Sequence, residues 1–225
     1  MLVLVVDSST PAVTAALAEV TADGVALRAY RCTVDARAHG ELLAPHVDAV
    51  LTDADARPGD LAAIVAGLGP GPFTGLRVGL VTAATMGQVL GIPTYGVCSL
   101  DGIGHPAAAG EPVLAAGDAR RREVYWAVYD GAGQRIAGPD VDAPAVAAAR
   151  ARDLAVTGAV GDGAHRYADV LGLPLRAEPR YPDPAALVTL AAERIRAGAP
   201  TEALTPLYLR RPDAVAATAR KPVLP

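Results

Sequence analysis

Cysteine, positive charge and long apolar runs are all scarce in this 225-residue sequence. The two cysteines, Cys32 and Cys98, are too few for a disulfide framework or a zinc site, so we expect both to be small buried apolar residues. The net charge is −4, whereas a protein that binds nucleic acid alone usually carries a basic domain or stripe. Any role with RNA would therefore need a basic partner or a small local patch.

No apolar run approaches the ~20 residues that a membrane-spanning helix needs. The first residues, 1–7, contain no basic segment and end on a charge, which predicts a first strand and not a signal peptide. We therefore expect a cytoplasmic protein without a membrane segment.

Motifs for metal binding and acylation are also missing. The four histidines, His39, His46, His105 and His165, form no His-x-x-x-His pair, and there is no Gly-x-Ser-x-Gly elbow. His39 and His46 are seven residues apart and could share a helix face, but we expect His39 to cap or orient the start of a helix. The sequence offers no catalytic metal site with three neighbouring ligands.

The apolar pattern of the first half predicts three strands and then alternating helices and strands. A turn at residues 21–24, with Asp-Gly at its end, joins the second strand to the third. Gly91 follows the second helix, where glycine commonly ends helices. The predicted elements are strands 2–6, 12–17 and 25–33, helix 41–51, strand 61–68, helix 74–90 and strand 94–97.

The same order of elements begins again in the second half. Its best-signalled helix is 184–197, because Asp183 can cap the first turn, Pro184 suits the first helical position and Gly198 can end the helix. The predicted elements are strands 112–117, 123–129 and 134–137, helix 144–152, strand 154–160 and helices 164–171 and 184–197. Small residues, glycine and proline at 99–110 indicate the division, and a proline-containing tail follows residue 201.

A three-strand meander followed by alternating helices and strands, present twice, predicts an α/β fold of the duplicated actin-like, ribonuclease-H-like (ASKHA) type. We expect two lobes, each with a mixed sheet and packed helices. Residues 1–100 would form the N-terminal lobe with a partner interface, and residues 101–225 a degenerate C-terminal lobe with its tail. Fold alone does not define the function.

The run GLGPGPFTGLRVG at residues 67–79 joins a predicted strand to a predicted helix. A glycine-rich turn before a helix can present backbone N–H groups to an anion. This run lacks the lysine of a Walker A loop and the third glycine of a dinucleotide loop, and Pro70 and Pro72 each remove an N–H donor. A rigid turn is therefore favoured over a phosphate site.

Small residues recur at every fourth position of the helix that follows: Gly75, Gly79, Ala83 and Gly87. Each glycine inside a helix costs about 1 kcal/mol relative to alanine, so close packing should offset the loss. The packing partner could be this chain's own sheet or another subunit; in the second case a bulky residue at Gly79 would weaken pairing. The candidate partner interface consists of Leu42, Leu43, Val47, Gly75, Val78, Gly79, Thr82, Ala83, Met86 and Gly87.

Three turns carry polar residues with several interpretations. Actin-like ATPases hold Mg²⁺ through an aspartate after the first strand, but the glycine of their phosphate turn is absent here, so Asp7, Ser8 and Ser9 are weak candidates for a cofactor site. Gly161, in the matching turn of the second half, is equally weak, and a tight turn is favoured there. The run Arg120–Arg122 is either a solvated turn or a contact for phosphate or an acidic partner.

Six segments together resemble one family, in family order along nearly the whole chain. They are VVDSST at 5–10, HGELLAP at 39–45, GPGPFTGLRVG at 69–79, VCSL at 97–100, DARRREVY at 118–125 and PLYLR at 206–210. The sequence resembles the bacterial TsaB (YeaZ) family of tRNA threonylcarbamoyladenosine synthesis. Pro72 and Gly40 stand where that family usually has serine.

The resemblance implies a non-catalytic scaffold subunit that dimerises, through helices 41–51 and 74–90, with a TsaD-like catalytic subunit. TsaD transfers a threonylcarbamoyl group to the adenosine beside the anticodon and binds a metal through a His-x-x-x-His pair, which is missing here after residue 96. A TsaE-like ATPase would dock near the junction, and tRNA would be contacted indirectly. No intrinsic cofactor is implied; ATP or ADP at the junction and a homodimer of the lone chain stay open.

Two enzymatic alternatives stay open, the first from the predicted fold and the second by analogy with the paralogous family. An actin-like phosphotransferase would use ATP and Mg²⁺, with Asp7 holding a metal-bound water and the Gly158–Gly163 loop holding the nucleotide. A metallopeptidase is the third hypothesis, and the missing histidine pair argues against it.

Overall fold

Two mixed β-sheets with the same internal order organise the chain in the computed structural model, which describes residues 1–210. The predicted tail beyond them, with Pro212, Lys221, Pro222 and Pro225, lies outside the described residues. The first sheet contains β1 (Leu2–Asp7), β2 (Ala12–Val20), β3 (Val25–Val34), β4 (Leu61–Gly67) and β5 (Thr94–Val97), in the order β3-β2-β1-β4-β5.

The second sheet repeats the first four positions of that order. It contains β6 (Val113–Asp118), β7 (Val124–Tyr129), β8 (Arg135–Asp142) and β9 (Gly158–Val160), in the order β8-β7-β6-β9. In both sheets the central strand is antiparallel to the next strand in sequence and parallel to the fourth. A single parallel bridge between Ala159 and Leu175 takes the place of a fifth strand. The predicted duplicated α/β fold, with a reduced second half, is confirmed.

Seven helices of the described residues cover these sheets: α1 (His39–Asp53), α2 (Phe73–Leu90), α3 (Asp101–Ala107), α4 (Pro144–Asp153), α5 (Asp162–Arg166), α6 (Ala168–Leu171) and α7 (Pro184–Arg196). Within residues 1–210, none of them is both long enough and apolar enough to cross a bilayer. Successive side chains of a strand point to opposite faces, so β1 is buried on both. Leu4 and Val6 pack with α1 and α2, while Val3 and Val5 pack with α7.

Helix α7 completes the core of the first sheet although it lies far beyond residue 100. Its Leu187, Val188 and Ile195 belong to the apolar cluster that contains Val3 and Val5. The expected boundary after residue 100 lies between the strands of the two sheets. Helix α7, which follows this boundary in the sequence, nevertheless packs on the first sheet. The physical reason is that the sheet's second face would stay exposed without α7.

Three predicted segments differ in the structure. Residues 99–110, expected as a connection, contain α3. The expected strand 154–160 is reduced to β9, because residues 154–157 form a turn in which Val156 N–H donates to the Ala151 carbonyl. The expected helix 164–171 is divided into α5 and α6.

The two cysteines differ in exposure. Cys98 is buried, as expected, but the expectation for Cys32 was wrong: it lies exposed on β3, the edge strand of the first sheet. An edge strand has only one neighbour, and little covers its outer side chains. Burial raises the pKa of the Cys98 thiol to about 11.

We therefore expect the two thiols of the native protein to react at very different rates. The thiolate is the nucleophile, so Cys98 should react with Ellman's reagent at pH 8 at least about 100-fold more slowly than Cys32. A Cys32→Ser variant should retain only the slow phase. Rapid reaction of that folded variant would show that Cys98 is accessible.

Candidate functional site

Asp7 lies at the end of β1, between the two sheets, with both carboxylate oxygens already bound within the chain. Its Oδ1 accepts hydrogen bonds from the Ser9 N–H (2.9 Å) and hydroxyl (2.8 Å), and its Oδ2 accepts one from the Ser99 hydroxyl (2.6 Å). Burial raises the pKa of Asp7, and the hydrogen bonds from Ser99 and Ser9 lower it in part. The carboxylate therefore holds the turn after β1 against the end of β5.

Gly67, the last residue of β4, leaves the space that the Asp7 carboxylate occupies. A Cβ at Gly67 would lie 2.7 Å from Asp7 Cγ and 2.6 Å from Ser99 Oγ, and it would overlap the carboxylate itself. A Cβ at Gly71 would likewise overlap the backbone of Ser9. The glycines of the run 67–79 thus permit the turn after β1 to pack on the loop between β4 and α2, which agrees with the rigid turn favoured above.

The Ser8 hydroxyl binds two backbone groups of one turn of α2. It donates to the Gly75 carbonyl (2.7 Å) and accepts from the Gly79 N–H (2.8 Å), which lies four residues further along the helix. A Cβ at Gly79 would lie 2.5 Å from Ser8 Oγ. The small side of α2 is therefore the side on which the helix contacts its own sheet.

His39 fixes the same turn from α1. Its buried Nε2 lies 2.7 Å from the Thr10 carbonyl oxygen, and because a carbonyl only accepts, Nε2 carries the proton. Of the two roles expected for His39, the cap is wrong, since no side chain caps α1, whereas the bond to the Thr10 carbonyl does orient the start of the helix. His46 contacts the Thr33 hydroxyl (3.1 Å) instead, so the two histidines bind different groups.

The predicted partner interface is divided by the structure into buried and half-buried residues. Six of its ten members are buried inside the chain: Leu43, Val47, Gly75, Gly79, Ala83 and Gly87. A bulky residue at Gly79 would meet Ser8 inside this chain first, so Gly79 does not itself face a partner; the expected effect of such a residue on pairing stays a prediction. The half-buried members are Leu42, Val78, Thr82 and Met86.

The opposite side of α2 carries an exposed stripe that we call the outer stripe: Phe73, Arg77, Val81, Thr85 and Val89. It is displaced by two residues, about 200°, from the glycine positions. Val81 and Val89 are 62% and 78% exposed. At its start the Arg77 guanidinium lies 3.6 Å above the Phe73 ring, and its Nε donates to the Tyr208 hydroxyl (2.9 Å). The interface prediction did not include Val81 and Val89, although their fourfold spacing was visible in the sequence.

A crevice separates the two sheets at the end of β1, and it is nearly filled. Its lining includes Thr10, Pro70, Ser99, Asp118, Tyr125 and Asp162, and its cavity volume is about 10 Å³. That is the room needed for about one water molecule.

The loop around Gly161 packs on the second sheet in the same way that the Gly67 loop packs on the first. A Cβ at Gly161 would overlap the Ala116 carbonyl oxygen, and one at Gly163 would lie 2.8 Å from the Asp118 nitrogen. Asp162 accepts hydrogen bonds from the N–H groups of Gly163 (2.9 Å) and Asp118 (3.3 Å), and burial raises its pKa. The loop is a tight turn, which is the favoured interpretation of its sequence.

Among residues 1–210, no group of three or more histidine, cysteine, aspartate or glutamate side chains is arranged to hold a metal ion. Asp7, the last residue of β1, and Asp162, which comes shortly after β9, accept hydrogen bonds from neighbouring turns. The structure brings Asp7, Ser8 and Ser9 together with Gly75 and Gly79 of α2 as a packing unit. Sequence reasoning missed Ser99, although it lies in one of the segments that carry the family resemblance.

A family model described as TsaD, tRNA N6-adenosine threonylcarbamoyltransferase, matches residues 33–179. An uncharacterized protein of Mycobacterium tuberculosis is 49% identical over 94% of this chain and 93% of its own length. Another from Mycobacterium leprae is 47% identical over 97% of this chain, which spans 57% of that protein. The tRNA threonylcarbamoyladenosine biosynthesis protein TsaB of Bacillus subtilis is 37% identical over 95 residues, 40% of each chain.

Solved structures give the same relationship. A Pseudomonas aeruginosa protein described as similar to peptidase YEAZ superposes with a TM-score of 0.76 at 29% identity, covering 93% of this chain and 99% of its own. YeaZ from Pseudomonas aeruginosa superposes with a TM-score of 0.73 at 26% identity, covering 92% and 100%.

Proposed function

The chain belongs to the TsaD family as a TsaB-like (YeaZ-like) member, and we propose that it is an accessory subunit in the synthesis of threonylcarbamoyladenosine in tRNA. It pairs with a TsaD-like catalytic subunit, which transfers the threonylcarbamoyl group to the adenosine beside the anticodon. The observation that carries this proposal is the exposed apolar face of α2.

That face is the outer stripe together with the half-buried Val78, Thr82 and Met86 beside it. β-Branched residues on an exposed helix surface are poorer helix formers than alanine. Val81, Thr85 and Val89 therefore do not favour the helical state of the lone chain. Aromatic and arginine side chains are enriched among residues that dominate binding energies, and Phe73, Arg77 and Tyr208 are held together at one end of the stripe. These features favour burial of the face by a partner subunit.

The crevice supports an accessory role for this chain. A phosphotransferase of the actin-like type needs an open crevice and a free aspartate after the first strand. Here the cavity has room for about one water molecule, and Asp7 is bound by Ser9 and Ser99. These features support the proposal that the chemistry belongs to the partner and that this chain needs no cofactor of its own.

We extend the proposal to the remaining components of the machinery. A TsaE-like ATPase binds near the junction of the two subunits, ATP or ADP is held there, and tRNA is reached mainly through the complex. When the catalytic partner is absent, the outer stripe is free to pair with a second copy of this chain.

The proposal is tested by reconstitution with the TsaD-like and TsaE-like proteins of the same organism, a source of threonylcarbamoyl-adenylate and an unmodified tRNA transcript. Modified adenosine is measured by mass spectrometry of the digested tRNA. Product should form only when this chain and the TsaD-like protein are both present. Equal product without this chain, or product from this chain alone, would contradict an accessory role.

A further inference from the structure

Three consecutive arginines form the exposed tip of the hairpin between β6 and β7, and all three have left-handed backbones. Their φ angles are 59° at Arg120, 52° at Arg121 and 61° at Arg122. Residues with a Cβ avoid this region because it crowds the side chain against the carbonyl group. Glycine or asparagine would fit such a tip with less strain, so the arginines are kept there at a cost to stability.

The hairpin tip is held at its base by contacts that do not use the side chains of Arg120 and Arg122. The Ala119 N–H donates to the Glu123 carbonyl (3.0 Å), and the Arg120 N–H donates to Asp118 Oδ1 (3.1 Å). The Arg210 guanidinium donates to the Ala119 carbonyl (3.1 Å) and pairs with the Glu123 carboxylate. Hydrogen bonds and an ion pair therefore hold the backbone beneath the arginine-rich tip.

The two acids that flank the tip are bound by other groups. Glu123 pairs with Arg210, while Asp118 lies 3.8 Å from Arg166 Nε and accepts a hydrogen bond from the Tyr167 hydroxyl (3.4 Å). The ion pairs of Glu123 with Arg210 and of Asp118 with Arg166 thus offset both flanking acids, and the charges of Arg120 and Arg122 remain. In a chain with a net charge of −4, this is the small local patch that a role with RNA would require.

The backbone conformation of the tip also determines which kind of anion its arginines can bind. Successive residues in helical conformation are rotated by about 100°, so three neighbouring side chains spread apart and do not converge on one point. A single phosphate or carboxylate would engage one guanidinium at a time. An extended polyanion with regularly spaced charges can engage several, and guanidinium groups match phosphate oxygens in pairs.

We propose that the Arg120–Arg122 loop binds the phosphodiester backbone of RNA, with Arg120 and Arg122 on different phosphates. The choice of RNA over another polyanion rests on the proposed function in tRNA modification. The loop leaves the second sheet directly after Asp118, which lines the crevice between the sheets. The bound strand accordingly crosses the mouth of that crevice. The base of the loop is joined to the Phe73 end of the outer stripe through residues 208–210, because Tyr208 contacts Arg77 and Arg210 contacts Glu123.

The test compares RNA binding by the full chain and by two matched double variants, with and without an equimolar TsaD-like subunit. Arg120→Gln with Arg122→Gln removes two charges from the tip, and Arg150→Gln with Arg152→Gln removes two exposed charges from α4. Fluorescence anisotropy with a labelled tRNA transcript is measured between about 50 and 200 mM salt, because affinity that depends on phosphate contacts falls steeply over this range. Elution with the TsaD-like protein is measured on the same samples.

The tip variant should bind the transcript roughly tenfold more weakly, and the slope of log affinity against log salt should fall by about two. The α4 variant should match the wild type. Arg120→Lys with Arg122→Lys should keep the salt slope but only part of the affinity, because an ammonium group does not match phosphate oxygens in pairs. Equal RNA affinity for the tip and α4 variants, or no RNA binding by any of them, would overturn the proposal. Loss of TsaD-like binding in the tip variant would assign the loop to a protein contact and overturn it too. Failure of the wild type to bind the TsaD-like protein, with RNA binding retained, would count against the proposed function alone.

Discussion

Replacing Gly67 by alanine is expected to lower the free energy of unfolding by at least about 3 kcal/mol, or to prevent folding. The added methyl group would stand 2.7 Å from Asp7 Cγ and 2.6 Å from Ser99 Oγ, so the carboxylate would have to leave its position. The hydroxyl of Ser99 and the N–H and hydroxyl of Ser9 would then lose their acceptor in a buried place. Chemical denaturation followed by circular dichroism measures the change.

Gly40→Ala is the matched control for this prediction. Gly40 lies in the first turn of α1, and a Cβ there meets nothing within 4 Å. Alanine is the better helix former, so this variant should be as stable as the wild type or more stable by up to about 1 kcal/mol. If Gly67→Ala proved as stable as Gly40→Ala, the packing of the Asp7 turn on β4 would not be what stabilises the first lobe.

Replacing Val81 by glutamate is expected to weaken binding of the TsaD-like subunit by about 100-fold or more while leaving the fold intact. Val81 is 62% exposed in the lone chain, so the substitution should change the free energy of unfolding by less than about 0.5 kcal/mol. In the proposed complex the same carboxylate would be buried in an apolar contact without a partner for its charge. Binding is measured by titration calorimetry.

Val146→Glu is the control for that charge. Val146 lies on α4 of the second lobe and is 46% exposed, so this variant adds the same group to another helix surface. It should bind the TsaD-like subunit like the wild type. If both variants bound the TsaD-like subunit like the wild type, the outer stripe would not be part of the interface. If both lost affinity equally, the loss would be a general effect of the added charge.

Local patterns in the sequence were enough to predict most elements of the fold. The apolar periodicity of α1 and α2, the left-handed Gly91 after α2, and the Asp183 cap of α7, which accepts from the Ala185 N–H, all occur in the structure. Each depends on residues that are close together in sequence. The repeated order of elements then indicated the duplication.

Helix α3 could not be predicted in the same way because its residues are poor helix formers. Gly102, Gly104 and Pro106 suggest a connection when they are considered alone. The helix forms because it packs tightly: a Cβ at Gly102 would lie 2.9 Å from the Leu187 side chain, and one at Gly104 would overlap the Tyr129 ring. Both neighbours are distant in sequence, so no local pattern contains this information.

The candidate site, too, could be predicted only as far as local sequence patterns allow. The fourfold spacing of small residues in α2 correctly predicted a surface of close approach, but spacing does not say which neighbour approaches. That neighbour is Ser8, 67 residues before Gly75 in the chain, and the acceptor of the Ser99 hydroxyl is Asp7, 92 residues away. Hydrogen bonds over such separations exist only after the sheet has formed.

The pairing of this chain with a transferase subunit is tested by its solution mass, alone and mixed with the TsaD-like protein of the same organism, by light scattering on a sizing column. We expect a stable species of one copy of each protein, which Val81→Glu abolishes and Val146→Glu does not. Separate elution of the two wild-type proteins, with and without ATP, would show that this chain is not the partner subunit of the transferase.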